Sequence, residues 1–296
     1  MRATLALAVL IPAILLALFV LTPARFFINV PFVTPPWPGN ADWADQTGLQ
    51  RGFVEVPGLG VTVSYVRAGD PAGQRVIFVH GTPGYAGDFT WQLRHVPPGR
   101  DYIAVDRPGF GWSDTARAFP DLEDQVKALD PFLDPDRPAI LVGFSLGGPI
   151  VVRAAIDRSA AVAGLVLASG NLDPALEEWK WYNAVADSDF LKPLLRTDWR
   201  LSNEELRPHR AELEALAGRL AEIEAPVALV HARDDSLVPF ANMLYAKAQL
   251  SRAPLVHERV LDVGDHMVPI RRPELIAEAL DALIGADEMQ AAGLNR

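Results

Sequence analysis

The segment Val142-Gly143-Phe144-Ser145-Leu146-Gly147-Gly148 joins a short apolar run, Ala139 to Val142, to a longer one, Pro149 to Ile156. The first run reads as a buried strand and the second as a largely apolar helix. Pro149 suits the first turn of that helix, where backbone N–H groups have no intrahelical partner to lose. A strand turning sharply into a helix with one serine at the corner is the context in which a GxSxG match has mechanical meaning. Ser145 is then expected in a strained backbone conformation with its hydroxyl presented above the sheet. Gly143 and Gly147 keep the neighbouring chain close because they lack a Cβ.

The flanks of this corner extend the pattern. Phe53 to Val56 and Val61 to Val66, separated by Pro57-Gly58-Leu59-Gly60, read as a hairpin. Strand-like runs then alternate with helix-like ones, at Val76 to Val79, Tyr102 to Val105, Ile140 to Phe144, Leu165 to Ala168, Val227 to Val230 and Val256 to Leu261. Such alternation implies a mainly parallel sheet with helices on both faces, entered here by an antiparallel hairpin. The chain has 296 residues, half of them apolar, enough for one large α/β domain with an appendage. In sheets of this kind ligands bind beyond the carboxyl ends of the strands, so the informative residues should follow each apolar run.

Composition removes several functions. Lys plus Arg number 27 against 37 Asp plus Glu, a net charge of −10, which disfavours nucleic acid as a partner because phosphate binding needs a basic surface. The absence of cysteine excludes disulfide scaffolds, thiolate zinc sites and a cysteine nucleophile. With no HExxH and no clustered histidines either, no metal and no cofactor are expected.

The residues after the strands form an ordered set. His80-Gly81-Thr82-Pro83-Gly84 follows Val79, Asp106-Arg107-Pro108-Gly109-Phe110-Gly111-Trp112-Ser113 follows Val105, and the serine corner follows Val142. Asp234-Asp235-Ser236-Leu237-Val238-Pro239 comes soon after Val230, and Gly264-Asp265-His266 after Leu261. Over about residues 50 to 285 the sequence resembles the α/β-hydrolase family, in its capped, serine esterase or lipase-like branch. The resemblance implies an α/β-hydrolase fold: an eight-stranded, mostly parallel sheet with helices on both faces and a helical cap inserted after strand 6.

It also implies chemistry. A serine hydroxyl is a poor nucleophile near neutral pH, so acyl transfer needs a base, a carboxylate that orients the base, and donors for the oxyanion. The family's chain order is serine, acid, histidine, and Ser145, Asp235 and His266 stand in it. Among six histidines, His266 alone follows the last strand in a glycine-containing turn; His80 belongs to the oxyanion loop, and His95, His209, His231 and His257 fall in helix-like, inserted or strand segments. Asp235 matches the acid position, with Asp173 as the alternative after the sixth strand, and Asp265 reads as a solvated neighbour of the base. The oxyanion donors are expected to be the backbone N–H groups of Leu146 and of Thr82, since Pro83 has none. The segment from Asp106 to Ser113 is taken as mainly structural.

The resemblance places the cap at residues 172–221, which hold Trp179, Trp181, Tyr182, Phe190 and Trp199. Leu213, Leu216, Leu220 and Ile223 follow at helical spacing, with Ser202 and Glu205 as a capping box and Pro208 disturbing the first turn. Phe144, Trp179, Trp181 and Trp199 are the candidate substrate contacts, the remaining rings holding the cap to the body. The core is then 51–171 with 222–286, followed by a C-terminal tail, 287–296.

Residues 1–25 carry no charge between Arg2 and Arg25, and Ala3 to Leu21 is almost wholly apolar. About 20 such residues make a helix that spans a bilayer core of roughly 30 Å, so a retained transmembrane anchor is expected, with a cleaved secretory signal as the alternative. The positive-inside tendency favours a cytoplasmic amino terminus and a catalytic domain outside the cytoplasm. Residues 26–50, rich in proline and aromatic rings at their start, read as a juxtamembrane linker. The leading expectation is a serine hydrolase acting on a small, apolar carboxylic ester. The same machinery could instead cleave amides or carbon–carbon bonds or carry out perhydrolysis, and a non-catalytic, membrane-tethered scaffold is the alternative of another class.

Overall fold

In the computed structural model, residues 43–114 and 117–291 are described. The expected anchor at 1–25, most of the linker at 26–50 and the end of the tail lie outside them. After a short helix, α1 (Trp43–Thr47), come β1 (Gln50–Val56), β2 (Val61–Gly69), β3 (Gln74–Val79), α2 (Thr90–Arg94) and β4 (Arg100–Val105). The chain continues with α3 (Leu122–Lys127), β5 (Ala139–Phe144), α4 (Gly147–Asp157), β6 (Val162–Ala168), α5 (Trp181–Ala186) and α6 (Thr197–Ala217). It closes with β7 (Val227–Ala232), α7 (Ala241–Gln249), β8 (Leu255–Leu261), α8 (Val268–Arg271) and α9 (Glu274–Ala291). Thus α9 runs five residues past the expected core boundary at 286, into the segment read as tail. Among the described residues no helix is long and apolar enough to cross a membrane.

One eight-stranded sheet has the order β1-β2-β4-β3-β5-β6-β7-β8. β2 runs antiparallel to β1 and β4, and every other pairing is parallel. Its central strand β5 is buried throughout, as a parallel strand covered on both faces must be. Side chains alternate across the sheet. Ile77, Val79 and Leu141 pack with Leu122 and Val126 of α3, Ile150 and Ala154 of α4, and Met243 of α7. Val76, Phe78, Ile140 and Val142 pack with Phe89 and Leu93 beside α2 and with Leu275, Ile276 and Leu280 of α9. Helices therefore cover both faces, and the strands of the parallel part share one carboxyl edge.

Two local expectations need correction. Ser202 and Glu205 do not cap a helix: α6 is continuous over 21 residues, and both lie well inside it. Pro208 also lies inside, away from the first turn. Glu205 is instead drawn into a buried ion pair described below, and that tertiary bond overrides the local capping pattern. Asp265 is more than a solvated neighbour, since its Oδ1 accepts from the Met267 N–H at 2.9 Å and its other oxygen pairs with Arg271.

Candidate active site

The corner after β5 has the geometry its glycines require. Ser145 sits at φ 54°, in the left-handed region that favours glycine, and its N–H donates to the Ala168 carbonyl at 3.1 Å. The first turn of α4 starts at once, with the Gly148 N–H donating to the Ser145 carbonyl at 2.8 Å. A Cβ on Gly147 would lie 2.2 Å from the Val79 carbonyl oxygen, and one on Gly143 would lie 2.4 Å from the Gly147 oxygen. Contacts that close against backbone leave room for hydrogen alone.

Asp235 follows β7 and His266 follows β8, and the two meet. His266 Nδ1 donates to Asp235 Oδ2 at 2.9 Å, with both side chains buried. An ionised carboxylate only accepts, so the shared proton is on Nδ1 and Nε2 is left as the basic nitrogen. Asp235 Oδ1 accepts from the Leu237 and Val238 N–H groups at 2.9 and 2.8 Å, which fixes the carboxylate plane. Burial alone would raise its pKa. The charge of His266, the neighbouring His231 at 3.5 Å and the Val238 N–H outweigh burial and hold it well below the usual carboxylate value. The Phe144 ring, adjacent in sequence to Ser145, lies against the His266 imidazole with centroids 5.0 Å apart. His266 is thereby set against the residue that precedes Ser145.

The other candidates are engaged elsewhere. Asp173 Oδ1 accepts from the Ala175 N–H at 2.9 Å, and Asp234 Oδ1 from the Gly264 N–H at 2.8 Å, which ties the loop holding Asp235 to the loop holding His266. His231 Nε2 meets the Val238 carbonyl at 2.9 Å, and His95 is stacked on Trp91. Trp179 is 40% and Trp181 50% exposed, the former under the Arg207 guanidinium, while Trp199 is half-buried.

The loop after β3 passes directly over the serine: a Cβ on Gly81 would lie 2.8 Å from Ser145 Cβ and 3.3 Å from its Oγ. Among the described residues, neither the Thr82 N–H nor the Leu146 N–H is donated to a protein acceptor. Two main-chain N–H groups without a protein acceptor, one on the residue after Ser145 and one on the residue after Gly81, suit an oxyanion.

Beneath this loop is a polar cluster that sequence reasoning missed. Arg107 and Glu205 are 1% and 2% exposed and form a bidentate pair, Nη1 to Oε1 at 2.8 Å and Nη2 to Oε2 at 3.1 Å. Glu205 also accepts from Gln125 Nε2 at 2.9 Å and from Thr82 Oγ1 at 2.7 Å. Arg107 Nε donates to the His80 carbonyl at 3.1 Å and Nη2 to the Gly81 carbonyl at 2.8 Å. His80, wholly buried, has its pKa lowered well below the ordinary value by burial and then by Arg107. His209 lies four residues beyond Glu205 on the same helix face; it accepts from Asn171 Nδ2 at 2.7 Å, and burial followed by Arg107 lowers its pKa to about 4. One signal was available: Leu201, Glu205, His209 and Leu213 continue the i, i+4 stripe of α6, which sets a carboxylate and an imidazole on the core-facing side.

The family model described as "Alpha/beta hydrolase family" matches residues 76–279. The uncharacterized hydrolase YugF of Bacillus subtilis (strain 168) is 26% identical over 261 residues, covering 74% of this chain and 93% of that protein. Lipase LipV of Mycobacterium tuberculosis is 31% identical over 182 residues, 60% of this chain and 63% of its own length. Among solved structures, a putative lipase from Acinetobacter baumannii AYE superposes with a TM-score of 0.64 at 17% identity, over 83% of this chain and 94% of the other.

Proposed function

The chain belongs to the alpha/beta hydrolase family, and we propose that it hydrolyses a carboxylic ester through an acyl-enzyme on Ser145, with His266 as base and Asp235 as the acid that orients it. The observation that carries this reading is the 2.9 Å bond between His266 Nδ1 and Asp235 Oδ2, made next to the ring that precedes Ser145. Nε2 of His266 takes the Ser145 proton as Oγ attacks the ester carbonyl. Asp235 stabilises the imidazolium that results. The carbonyl oxygen, now negative, is received by the Thr82 and Leu146 N–H groups, and such donors are worth about 10²–10³ in rate apiece. Collapse expels the alcohol, which carries away the proton from Nε2. Water then repeats the sequence on the acyl-serine and releases the acid.

An apolar acyl group is the substrate feature favoured by the name of LipV and by the tryptophans of the inserted segment. Membrane attachment through residues 1–25 belongs to the same proposal and rests on their uncharged, apolar sequence. A fluorophosphonate probe should label Ser145 in the wild type and leave Ser145→Ala unlabelled. p-Nitrophenyl esters of rising chain length, run beside aminoacyl anilides, should be cleaved in preference to the anilides. Labelling that persists in Ser145→Ala, or anilides cleaved faster, would overturn the assignment. For the anchor, the full chain should sediment with membranes and resist alkaline carbonate, while a chain lacking its first 25 residues should not.

A further inference from the structure

We propose that Arg107, gripped by Glu205 of α6, is a positioning residue that aims and strengthens the Thr82 N–H, so that the readiness of the oxyanion site depends on the inserted helix. This deepens the serine-hydrolase reading and rests on its assignment of Thr82.

The Thr82 N–H and the Gly81 carbonyl belong to one peptide unit. That unit is planar, with N–H and C=O directed to opposite sides, so whatever fixes the carbonyl fixes the donor. The Gly81 oxygen is held twice, by Arg107 Nη2 at 2.8 Å and by His80 Nδ1 at 2.7 Å. The second bond is set by the main chain at Arg107, which any residue but proline would supply. The Arg107 backbone N–H donates to His80 Nε2 at 3.0 Å, which makes Nε2 the acceptor and places the ring proton on Nδ1, facing the Gly81 oxygen. A cationic donor and a neutral one on the same carbonyl draw electron density out of the amide and make the opposite N–H a stronger donor. Both act where water does not screen them.

Glu205 keeps the guanidinium from turning. Its two oxygens take both Nη atoms, while Nε is committed to the His80 carbonyl and the Phe110 ring lies 4.8 Å from the guanidinium carbon. The same carboxylate accepts from Thr82 Oγ1 at 2.7 Å, across 123 positions of sequence. Thr82 is therefore secured at its peptide by Arg107 and at its side chain by Glu205. A displacement of α6 reaches the proposed oxyanion donor through two bonds.

Losing either charge alone leaves the other buried and unpaired, so the test uses the neutral double variant Arg107→Gln with Glu205→Gln, together with Thr82→Val and Thr82→Ser. End-point fluorophosphonate labelling counts competent sites, so kcat and KM for p-nitrophenyl butyrate are expressed per labelled Ser145. Binding of a trifluoromethyl ketone, which forms a tetrahedral adduct, is measured alongside. For the double variant, kcat per site should fall about 10–100-fold and ketone affinity by a similar factor, with KM within about twofold. Thr82→Val should lose about tenfold in kcat, and Thr82→Ser should recover most of it.

An effect confined to the labelled fraction, or a raised KM at unchanged kcat, would overturn the proposal. If the double variant does not fold, the Thr82 pair decides, and equal kcat in Val and Ser counts against it. A wild-type chain not labelled at Ser145 overturns the serine-hydrolase reading and this proposal together. A labelled wild type with unaffected variants overturns this proposal alone.

Discussion

Ser145 holds a left-handed backbone, φ 54°, that costs a residue with a side chain about 1–2 kcal/mol. Ser145→Gly removes the hydroxyl and the strain together, so we expect an inactive protein that is about 1 kcal/mol more stable to urea than Ser145→Ala. Gly147 is the converse case. Its missing Cβ would lie 2.2 Å from a main-chain oxygen, so Gly147→Ala should destabilise the fold by about 2 kcal/mol or more in the same assay. Glu205→Ala, which leaves the buried Arg107 without a counter-charge, should cost about 3–5 kcal/mol, well beyond the neutral double variant Arg107→Gln with Glu205→Gln. The positions of Ser145, Asp235 and His266 were legible in the sequence because each lies just past an apolar run, where open sheets gather ligand contacts. Arg107 and Glu205 were not, because each looks like an ordinary charge until its partner, 98 positions away, is known.

Strand identities followed from apolar runs, but their amino-terminal ends did not. β4 begins at Arg100, ahead of the apolar run at Tyr102, because Asp101 is buried among Arg67, Arg75 and Arg137. A charge compensated by residues distant in sequence reads locally as loop. The same holds for α6, where Glu205 and His209 put polar groups on the buried i, i+4 stripe and the local capping pattern at Ser202 points to a start later than Thr197. Leu213, 1% exposed, anchors the far part of α6, and Leu213→Ala should lower stability by about 2–5 kcal/mol in denaturant titration. The eightfold sheet and its two helical coats needed no such nonlocal information. Alternation of side chains along Val76-Ile77-Phe78-Val79 already divides them between the two cores.

Acid should weaken the molecule through its buried histidines. His209 has its pKa lowered to about 4 in the folded protein, whereas in the unfolded chain it titrates near the ordinary 6.5. Between those values the unfolded chain binds a proton that the folded one refuses. This contribution to stability is therefore complete above about pH 6.5 and declines as the pH falls to about 4, by about 1.4 kcal/mol per pH unit. His80 acts in the same direction. Asp235, with its pKa depressed, contributes above the ordinary carboxylate value and weakens only below it. His209→Gln should flatten the dependence of unfolding free energy on pH between 6.5 and 4 by about one proton, measured by urea titration at stepped pH. The chain also visits its proposed reacting groups in a telling order: the hydroxyl on β5's corner comes before the inserted segment, and the carboxylate and imidazole after it. A polypeptide still leaving the ribosome consequently carries Ser145 before its proposed acid and base have been made. Only when the last strand slots into the sheet's edge would the proposed ester-cleaving centre be complete, a delay written into topology.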